Sequence, residues 1–262
     1  MTIAFIGAGK MATALAEGIN SSRSDIRFAI YDVYDESIKS FTARIKNCSV
    51  CASVKEAAEQ ADVLFLSVKP QNFTEISESI STYRKIIVSI MAGVSIAKIK
   101  QYAEDAQVIR VMPNTPCLVG QMAAGYSTGS NVTDESAALA KSLLETSGVA
   151  VRLDEKFLDA VTALSGSGPA FAGLILKYFL DGALALGLDE QTAKALLFQT
   201  FTGTIELLKI KNLSFNDLLT MVTSKGGTTA AGREVLENSD VADIISKTLA
   251  AANNRSEELG KQ

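Results

Sequence analysis

A glycine-rich segment close to the N-terminus has the spacing of a phosphate-binding turn. The residues IGAGKMA (6–12) follow an apolar run and open an amphipathic stretch, which is the context that a dinucleotide-binding fingerprint requires. Gly7 lets the chain turn, and Gly9 lets the backbone approach a pyrophosphate at the N-terminus of the following helix. Ala12 replaces the third glycine of the fingerprint. The predicted cofactor-binding residues of this segment are Ile6, Gly7, Ala8, Gly9, Lys10, Met11 and Ala12.

One acidic residue supports the same interpretation. Asp32 ends the second apolar run, AIYD. A carboxylate at that place accepts hydrogen bonds from the hydroxyls of the adenosine ribose and repels a 2′-phosphate, so Asp32 favours NADH over NADPH. The structural alternative is a solvated carboxylate at the end of a strand.

Three later turns also follow apolar runs: SVKPQ (67–71), MAGVS (91–95) and MPNTP (112–116). In an open α/β sheet, ligands lie at the carboxyl ends of the parallel strands, where we place these turns. Each of them alone is also compatible with a simple turn. They add Val68, Lys69, Pro70, Ala92, Gly93 and Asn114 to the predicted cofactor-binding residues.

A second candidate site lies near the C-terminus, in TMVTSKGGTTAAG (residues 220–232 of the printed sequence). Gly226 and Gly227 permit a bend whose backbone N–H groups converge on an anion, and a helix that begins near Thr228 adds the positive end of its dipole. A glycine-bent helix N-cap, with serine and threonine satisfying the free N–H groups, is the structural alternative.

The elements that must position these residues are strands alternating with helices. Apolar runs at 2–6, 26–31, 63–68, 85–90, 107–112, 123–129 and 149–153 are predicted strands, and CSVCAS adds a short one. This alternation predicts an α/β fold whose N-terminal part, residues 1–153, is a Rossmann-type, doubly wound sheet. Residues 154–262 show only helical patterns and are predicted to form an all-α C-terminal dimerisation domain.

The apolar stretch 169–188 approaches membrane-spanning length, but Lys177 and Asp181 would be costly in a bilayer. We interpret it as a helix buried in protein, and because its domain is small, we expect a second copy of the chain to cover it. The expected assembly is a homodimer, without a membrane or nucleic-acid partner. The net charge of -4 and the pI of about 5.1 agree with the absence of a basic face.

Three cysteines, an odd number, argue against a disulfide scaffold and suit a reducing cytosol. Cys48 and Cys51 form a CxxC motif, but only Cys117 remains as a further ligand, so no metal site is predicted. The N-terminus has no basic region ahead of its apolar run, which is untypical of a signal peptide. We expect a cytoplasmic protein.

Taken in order, IGAGKMA, ADVLFLSVKPQ, IMAGVS, RVMPNTP, LSGSGPAF and TSKGGTTAAG resemble pyrroline-5-carboxylate reductase over essentially the whole chain. The resemblance implies reduction of the cyclic imine 1-pyrroline-5-carboxylate to L-proline by NADPH or NADH, the last step of proline synthesis. It also implies a Rossmann domain followed by a helical dimerisation domain, with a substrate pocket at the dimer interface. Dimers of this family often assemble into decamers.

The resemblance assigns the substrate carboxylate to the loop near the C-terminus. Thr229 matches the family threonine that hydrogen-bonds the ring nitrogen, and it is the predicted catalytic residue. A cyclic imine brings its own proton, so catalysis depends on positioning, in agreement with a chain that contains no histidine. The predicted substrate-binding residues are Ser224, Gly226, Gly227, Thr228 and Thr229.

Three positions depart from the family pattern. Lys225 stands where proline is usual, Val54 where many members have asparagine, and Asp32 where NADPH-preferring members carry a small or basic residue. The last two weigh against the NADPH preference that is usual in the family.

Three alternatives to this reductase stay open at this point. One is a β-hydroxyacid dehydrogenase of the 6-phosphogluconate type, which needs a lysine one turn after the LSGSG segment, whereas Lys177 comes too late. Another is a dinucleotide-binding sensor without turnover. The last is a reductase of a related cyclic imine.

Overall fold

Eight strands in one sheet form the frame of the N-terminal part of the chain. The computed structural model describes residues 1–260. The strands are β1 Thr2–Ile6, β2 Arg27–Tyr31, β3 Cys48–Val50, β4 Val63–Leu66, β5 Ile86–Ser89, β6 Gln107–Met112, β7 Met122–Thr128 and β8 Gly148–Arg152. All eight were predicted as strands to within a few residues, and the doubly wound Rossmann-type fold is confirmed.

Twelve helices accompany the strands in the described residues. They are α1 Lys10–Ser22, α2 Asp35–Arg44, α3 Val54–Gln60, α4 Phe73–Ser77, α5 Ile96–Lys100, α6 Asp134–Leu144, α7 Leu158–Val161, α8 Gly168–Ala185, α9 Glu190–Lys211, α10 Phe215–Val222, α11 Thr228–Glu237 and α12 Val241–Gly260. As predicted, the described residues after Leu153 contain no strand.

The strand order is β3-β2-β1-β4-β5-β6-β7-β8. Every neighbouring pair is parallel except β6 and β7, which are antiparallel, with Met112 opposite Gly125. The sequence pattern did not reveal this reversal. Its cause is the short link at residues 113–121, because a parallel connection needs a crossover of a dozen or more residues.

Contacts divide the chain into two units. The first unit consists of Met1–Pro169 together with residues 250–260, and the second unit is Ala170–Leu249. The helix α12 therefore begins in the second unit and ends in the first. The domain boundary after Leu153 stays a prediction.

The core of the first unit lies on both faces of the sheet. All residues of β4 and β5 are buried, as expected of parallel strands that are covered by helices on both sides. On one face Phe5 is at the centre of an aromatic cluster. Its ring stacks on Phe65 with centroids 4.6 Å apart, and it contacts Phe28 and Phe41 at 6.5 and 5.7 Å.

The second unit is helical, and its longest apolar helix is not covered by its own chain. No residue of α8 is buried, and the exposed fractions of Leu174, Tyr178 and Phe179 are 48%, 61% and 51%. Lys177 and Asp181 form an ion pair one turn apart on this helix. None of the helices in residues 1–260 combines the length and apolar character that crossing a bilayer requires.

Substitution of Phe5 by alanine tests the importance of the aromatic cluster. We expect Phe5→Ala to lower the free energy of unfolding by about 3–5 kcal/mol, because it removes a fully buried ring and leaves a cavity. Urea unfolding at fixed protein concentration, followed by far-UV circular dichroism, measures this in a chain without tryptophan. The control is Phe157→Ala, since Phe157 is 49% exposed. An equal loss in both variants would contradict the prediction.

Candidate dinucleotide site and anion-binding loop

Gly7 lies where the ends of three strands meet. Its φ is +99°, and a Cβ placed on it would be 2.8 Å from the carbonyl carbon and oxygen of Ser67. The Gly7 N–H donates to the carbonyl of Tyr31 at 2.8 Å, and the Ser67 hydroxyl donates to the carbonyl of Gly7 at 2.8 Å. Only glycine fits here, so this turn holds the ends of β1, β2 and β4 together.

Gly9 is a different kind of glycine. It is the N-cap of α1, its φ is -68°, and no side chain caps it. A Cβ on Gly9 would meet no atom within 4 Å, so that methyl would fill open space in front of the helix. The first turn of α1 carries no acidic residue. The N-terminus of α1 is therefore open to an anion and fits the pyrophosphate of a dinucleotide.

Asp32 anchors the glycine-rich turn. One carboxylate oxygen accepts a hydrogen bond from the N–H of Ala8 at 2.6 Å, and the other accepts one from the N–H of Tyr34 at 2.9 Å. Each oxygen keeps a free lone pair, and the side chain is only partly buried, so it can also accept from ribose hydroxyls. The sequence predicted the ribose contact but not the bond to Ala8.

A cleft of about 350 Å³ opens in front of these residues. It brings together five of the predicted cofactor-binding residues: Gly7, Gly9, Asp32, Val68 and Lys69. The residues that the sequence analysis did not single out are Tyr31, Val33, Tyr34, Ser37, Ser67, Gln71, Asn72, Glu75 and Ile76. They lie at the end of β2 or within about ten residues after β2 or β4, and that position was the available signal.

The other predicted cofactor-binding residues do not line this cleft. Ile6, Ala8 and Ala12 are buried around the turn, Lys10 and Met11 are in the first turn of α1, and Pro70 begins a short 3₁₀ turn. Ala92 is exposed, and Gly93 has a φ of +74°, both in the turn after β5.

Asn114 has its polar atoms engaged within the first unit. Its amide nitrogen donates to the carbonyl and the hydroxyl of Ser165, both at 3.2 Å, and its oxygen accepts from the N–H of Ala123 at 2.9 Å. Asn114 therefore connects the end of β6 to β7 and to the LSGSG segment. No sequence pattern indicated the connection to Ser165, because that residue lies 51 positions along the chain from Asn114.

The loop before α11 has the predicted bend. Gly226 has a φ of +73°, and the N–H of Gly227 donates to the carbonyl of Ser224 at 3.1 Å. Gly227 is the N-cap of α11 without a side-chain cap, so Thr228 and Thr229 are its first two helical residues. The two threonines are exposed, and the uncapped N–H groups suit a carboxylate. The five predicted substrate-binding residues thus lie together in one loop of the second unit.

The thiols of the CxxC motif are poor ligands and nucleophiles at neutral pH. Burial, together with the neighbouring Cys51, raises the pKa of Cys48 to about 12. Burial also raises the pKa of Cys51. Because the thiolate is the reactive form, both thiols are mostly protonated and unreactive at pH 7.

Two family models match the chain. Residues 155–259 match pyrroline-5-carboxylate reductase dimerisation, and residues 2–93 match NADP oxidoreductase, coenzyme F420-dependent. The pyrroline-5-carboxylate reductase of Methanosarcina acetivorans is 34% identical, over 99% of this chain and 98% of its own. The pyrroline-5-carboxylate reductase of Pisum sativum is 36% identical, over 98% of this chain and 96% of its own. The chain belongs to the pyrroline-5-carboxylate reductase family.

Solved structures of this family have the same fold. The pyrroline-5-carboxylate reductase of Coxiella burnetii aligns with a TM-score of 0.90 at 30% identity, covering 98% of this chain and 97% of its own. The Plasmodium falciparum pyrroline carboxylate reductase, solved with NADP bound, aligns with a TM-score of 0.86 at 28% identity, covering 99% and 98%. The resemblance identified from the motifs is confirmed.

The two glycines of the first turn give a matched pair of variants. We expect Gly9→Ala to fold normally but to bind NADH at least about tenfold more weakly, because its methyl occupies the phosphate position. Gly7→Ala is expected to lower the melting temperature, since its Cβ collides with the backbone at Ser67. Calorimetric titration with NADH and thermal unfolding measure the two effects. Unchanged NADH affinity in Gly9→Ala would contradict this placement of the pyrophosphate.

Proposed function

We propose that the chain is a pyrroline-5-carboxylate reductase, an NAD(P)H-dependent oxidoreductase acting on a C=N bond. It reduces 1-pyrroline-5-carboxylate to L-proline, the last step of proline biosynthesis. The observation that carries the proposal is the open, glycine-bent N-terminus of α11, an anion site separate from the dinucleotide cleft of the first unit. A substrate with its own carboxylate needs such a second site.

The first unit would hold the cofactor through groups already in place. The N-terminus of α1 at Gly9 faces the pyrophosphate, and Asp32 accepts from the adenosine ribose. The bound nicotinamide supplies a hydride. We assign the predicted contacts at Ala92 and Gly93, in the turn after β5, to the nicotinamide end of the cofactor.

The loop of the second unit would hold the substrate. The N–H groups at the start of α11 would donate hydrogen bonds to the carboxylate, and its interaction with the helix dipole is worth about 0.3–1 kcal/mol at an exposed site. Thr229 orients the ring nitrogen. An iminium carries its proton into the site, hydride transfer to it gives the neutral amine, and that amine takes its second proton from solvent, so no acid–base side chain is required. Catalysis then rests on alignment of the two reactants.

We propose NADH as the preferred cofactor. The cleft is lined by two acids, Asp32 and Glu75, and by one cation, Lys69. The first turn of α2, which follows β2, adds Asp35 and Glu36. A 2′-phosphate at this end of the cleft would meet mainly negative charge. The Plasmodium falciparum relative solved with NADP bound shows that the fold itself admits the phosphorylated cofactor.

We also propose a homodimer formed through the second unit. Its exposed apolar helix α8 and the match of residues 155–259 to a dimerisation model support this. The start of that match also supports a domain boundary after Leu153. Assembly of dimers into decamers is a further possibility that light scattering would test.

The direct test is initial-rate oxidation of NADH and of NADPH with 1-pyrroline-5-carboxylate. We expect turnover with a preference for NADH. A folded, dimeric protein without turnover would contradict the proposal and favour a sensor or another cyclic imine as substrate.

Thr229→Ala separates catalysis from cofactor binding. We expect kcat to fall roughly 10- to 100-fold, since one orienting hydrogen bond is lost, while the Kd for NADH stays unchanged. Thr229→Ser is the matched control, because it keeps the hydroxyl. Steady-state kinetics and calorimetric titration provide the two readouts. A parallel loss of turnover and NADH affinity would make Thr229 a structural residue.

Asp32→Asn tests the origin of the cofactor preference. It removes the negative charge at the ribose, so the ratio of kcat/KM for NADH to that for NADPH should fall about tenfold or more. Asp35→Asn removes a nearby exposed charge without the bond to Ala8, and we expect it to lower the ratio by a much smaller factor. Equal shifts in both variants would attribute the preference to the general field instead of to Asp32.

A further inference from the structure

The turn at residues 91–95 follows β5 beside the end of β4. The N–H of Ile90 donates to the carbonyl of Leu66 at 3.0 Å, which keeps the two strand ends in register. β4 continues into Val68 and Lys69, which line the cleft. A dinucleotide anchored at Asp32 and extended along the carboxyl ends of the strands would reach this turn with its nicotinamide half.

The 91–95 turn has one exposed residue between buried ones. Met91 and Val94 are each only 2% exposed and fix the base of the turn in the core. Ala92 is exposed, and Gly93 adopts the left-handed conformation with a φ of +74°. The turn therefore presents Ala92 to a ligand, while the position of its tip depends on what packs against Gly93.

The end of α12 packs against Gly93. A Cβ on Gly93 would lie 3.2 Å from the Cα of Gly260 and 3.3 Å from its nitrogen. In the opposite direction, a Cβ on Gly260 would lie 3.5 Å from the carbonyl oxygen of Gly93. Two backbones thus meet in direct contact, with a glycine on each side, although the residues are far apart in sequence.

Ser256 fixes the position of α12 along its axis relative to Gly93. It is only 8% exposed, and its hydroxyl donates to a carboxylate oxygen of Asp159 at 2.6 Å. Ser256 precedes Gly260 by one helical turn and lies on the same face of α12. The hydrogen bond therefore prevents the last turn of the helix from sliding along Gly93.

The segment that carries Asp159 also holds the 91–95 turn from its other end. One oxygen of Glu155 accepts from the N–H of Ile96 at 2.8 Å, directly after the turn, and from Arg110 at 3.1 Å. The Arg110 side chain is only 12% exposed. Residues 155–159 are thus a common base for the turn and for the end of α12.

We propose that Ser256 and Gly260 are positioning residues for the nicotinamide half of the cofactor. They support the 91–95 turn on the side where α12 packs against it, and so determine the position of Ala92. The proposal rests on the proposed function, since it requires a dinucleotide in the cleft. It concerns only one half of that cofactor, because the adenosine half is bound at Gly9 and Asp32.

A comparison of Ser256→Ala with Ser246→Ala tests whether the end of α12 positions the 91–95 turn. Ser246 is on the same helix but is exposed. Calorimetric titration with NADH and with ADP-ribose, which lacks the nicotinamide, separates the two halves of the cofactor. For Ser256→Ala we expect NADH affinity and kcat to fall roughly tenfold, as a misplaced reacting group implies, with ADP-ribose affinity unchanged. Ser246→Ala should match the wild type in all three quantities.

Two substitutions at Gly260 form a second pair of variants, and both leave the hydrogen bond of Ser256 intact. Gly260→Ala places its Cβ at ordinary contact distance from Gly93 and should behave as the wild type. Gly260→Val adds two carbons to that Cβ, and these must displace the turn. We expect the same selective loss of NADH affinity and kcat, and this pair decides the question if Ser256→Ala does not fold.

Two results would overturn the inference and leave the reductase assignment standing. One is an equal loss of NADH and ADP-ribose affinity in Ser256→Ala or Gly260→Val. The other is the absence of any difference between each variant and its control. A wild-type protein that binds neither nucleotide would overturn the inference together with the proposed function.

Discussion

The backbone of Gly7 approaches the carbonyl of Ser67 so closely that a side-chain carbon would lie 2.8 Å from it. This approach lets β1, β2 and β4 end at one point. It places the N–H of Ala8 within reach of Asp32 and directs the start of α1 toward the cleft. The open helix N-terminus, the Asp32 carboxylate and the loop at Val68 therefore share one steric constraint, and a side chain at Gly7 would separate them.

The chain forms the two glycine-rich turns that we propose as anion sites in similar ways. In each, a glycine with positive φ, Gly7 or Gly226, precedes a second glycine that serves as an uncapped helix N-cap. The surroundings differ: Gly9 faces a cleft lined by side chains, whereas Gly227 lies in an exposed loop flanked by hydroxyls and Lys225. The first arrangement suits a large cofactor held by many contacts. The second suits a small carboxylate held by few.

The sequence was sufficient to predict the features that depend on local residue patterns. Short apolar runs identified all eight strands, and glycine spacing identified both turns, because these features depend on a few neighbouring residues. It did not predict the direction of β7, the hydrogen bonds of Asn114 to Ser165, or the packing of Gly260 on Gly93. The direction of β7 follows from the length of the link before it, which the apolar pattern does not report. The other two contacts join residues distant in sequence, and no residue type at either position requires them.

The first unit is discontinuous in sequence, since residues 250–260 belong to it and all of Ala170–Leu249 comes between. All eight strands of the sheet are therefore synthesised before residues 250–260 of the same unit. At about 5–20 residues per second, the intervening segment takes roughly 4–16 s to synthesise. During that interval the nascent sheet lacks its C-terminal segment. The turn at Gly93 would reach its final form only after residues 250–260 have been made, so a chain that stops before them would lack this support even with every strand in place.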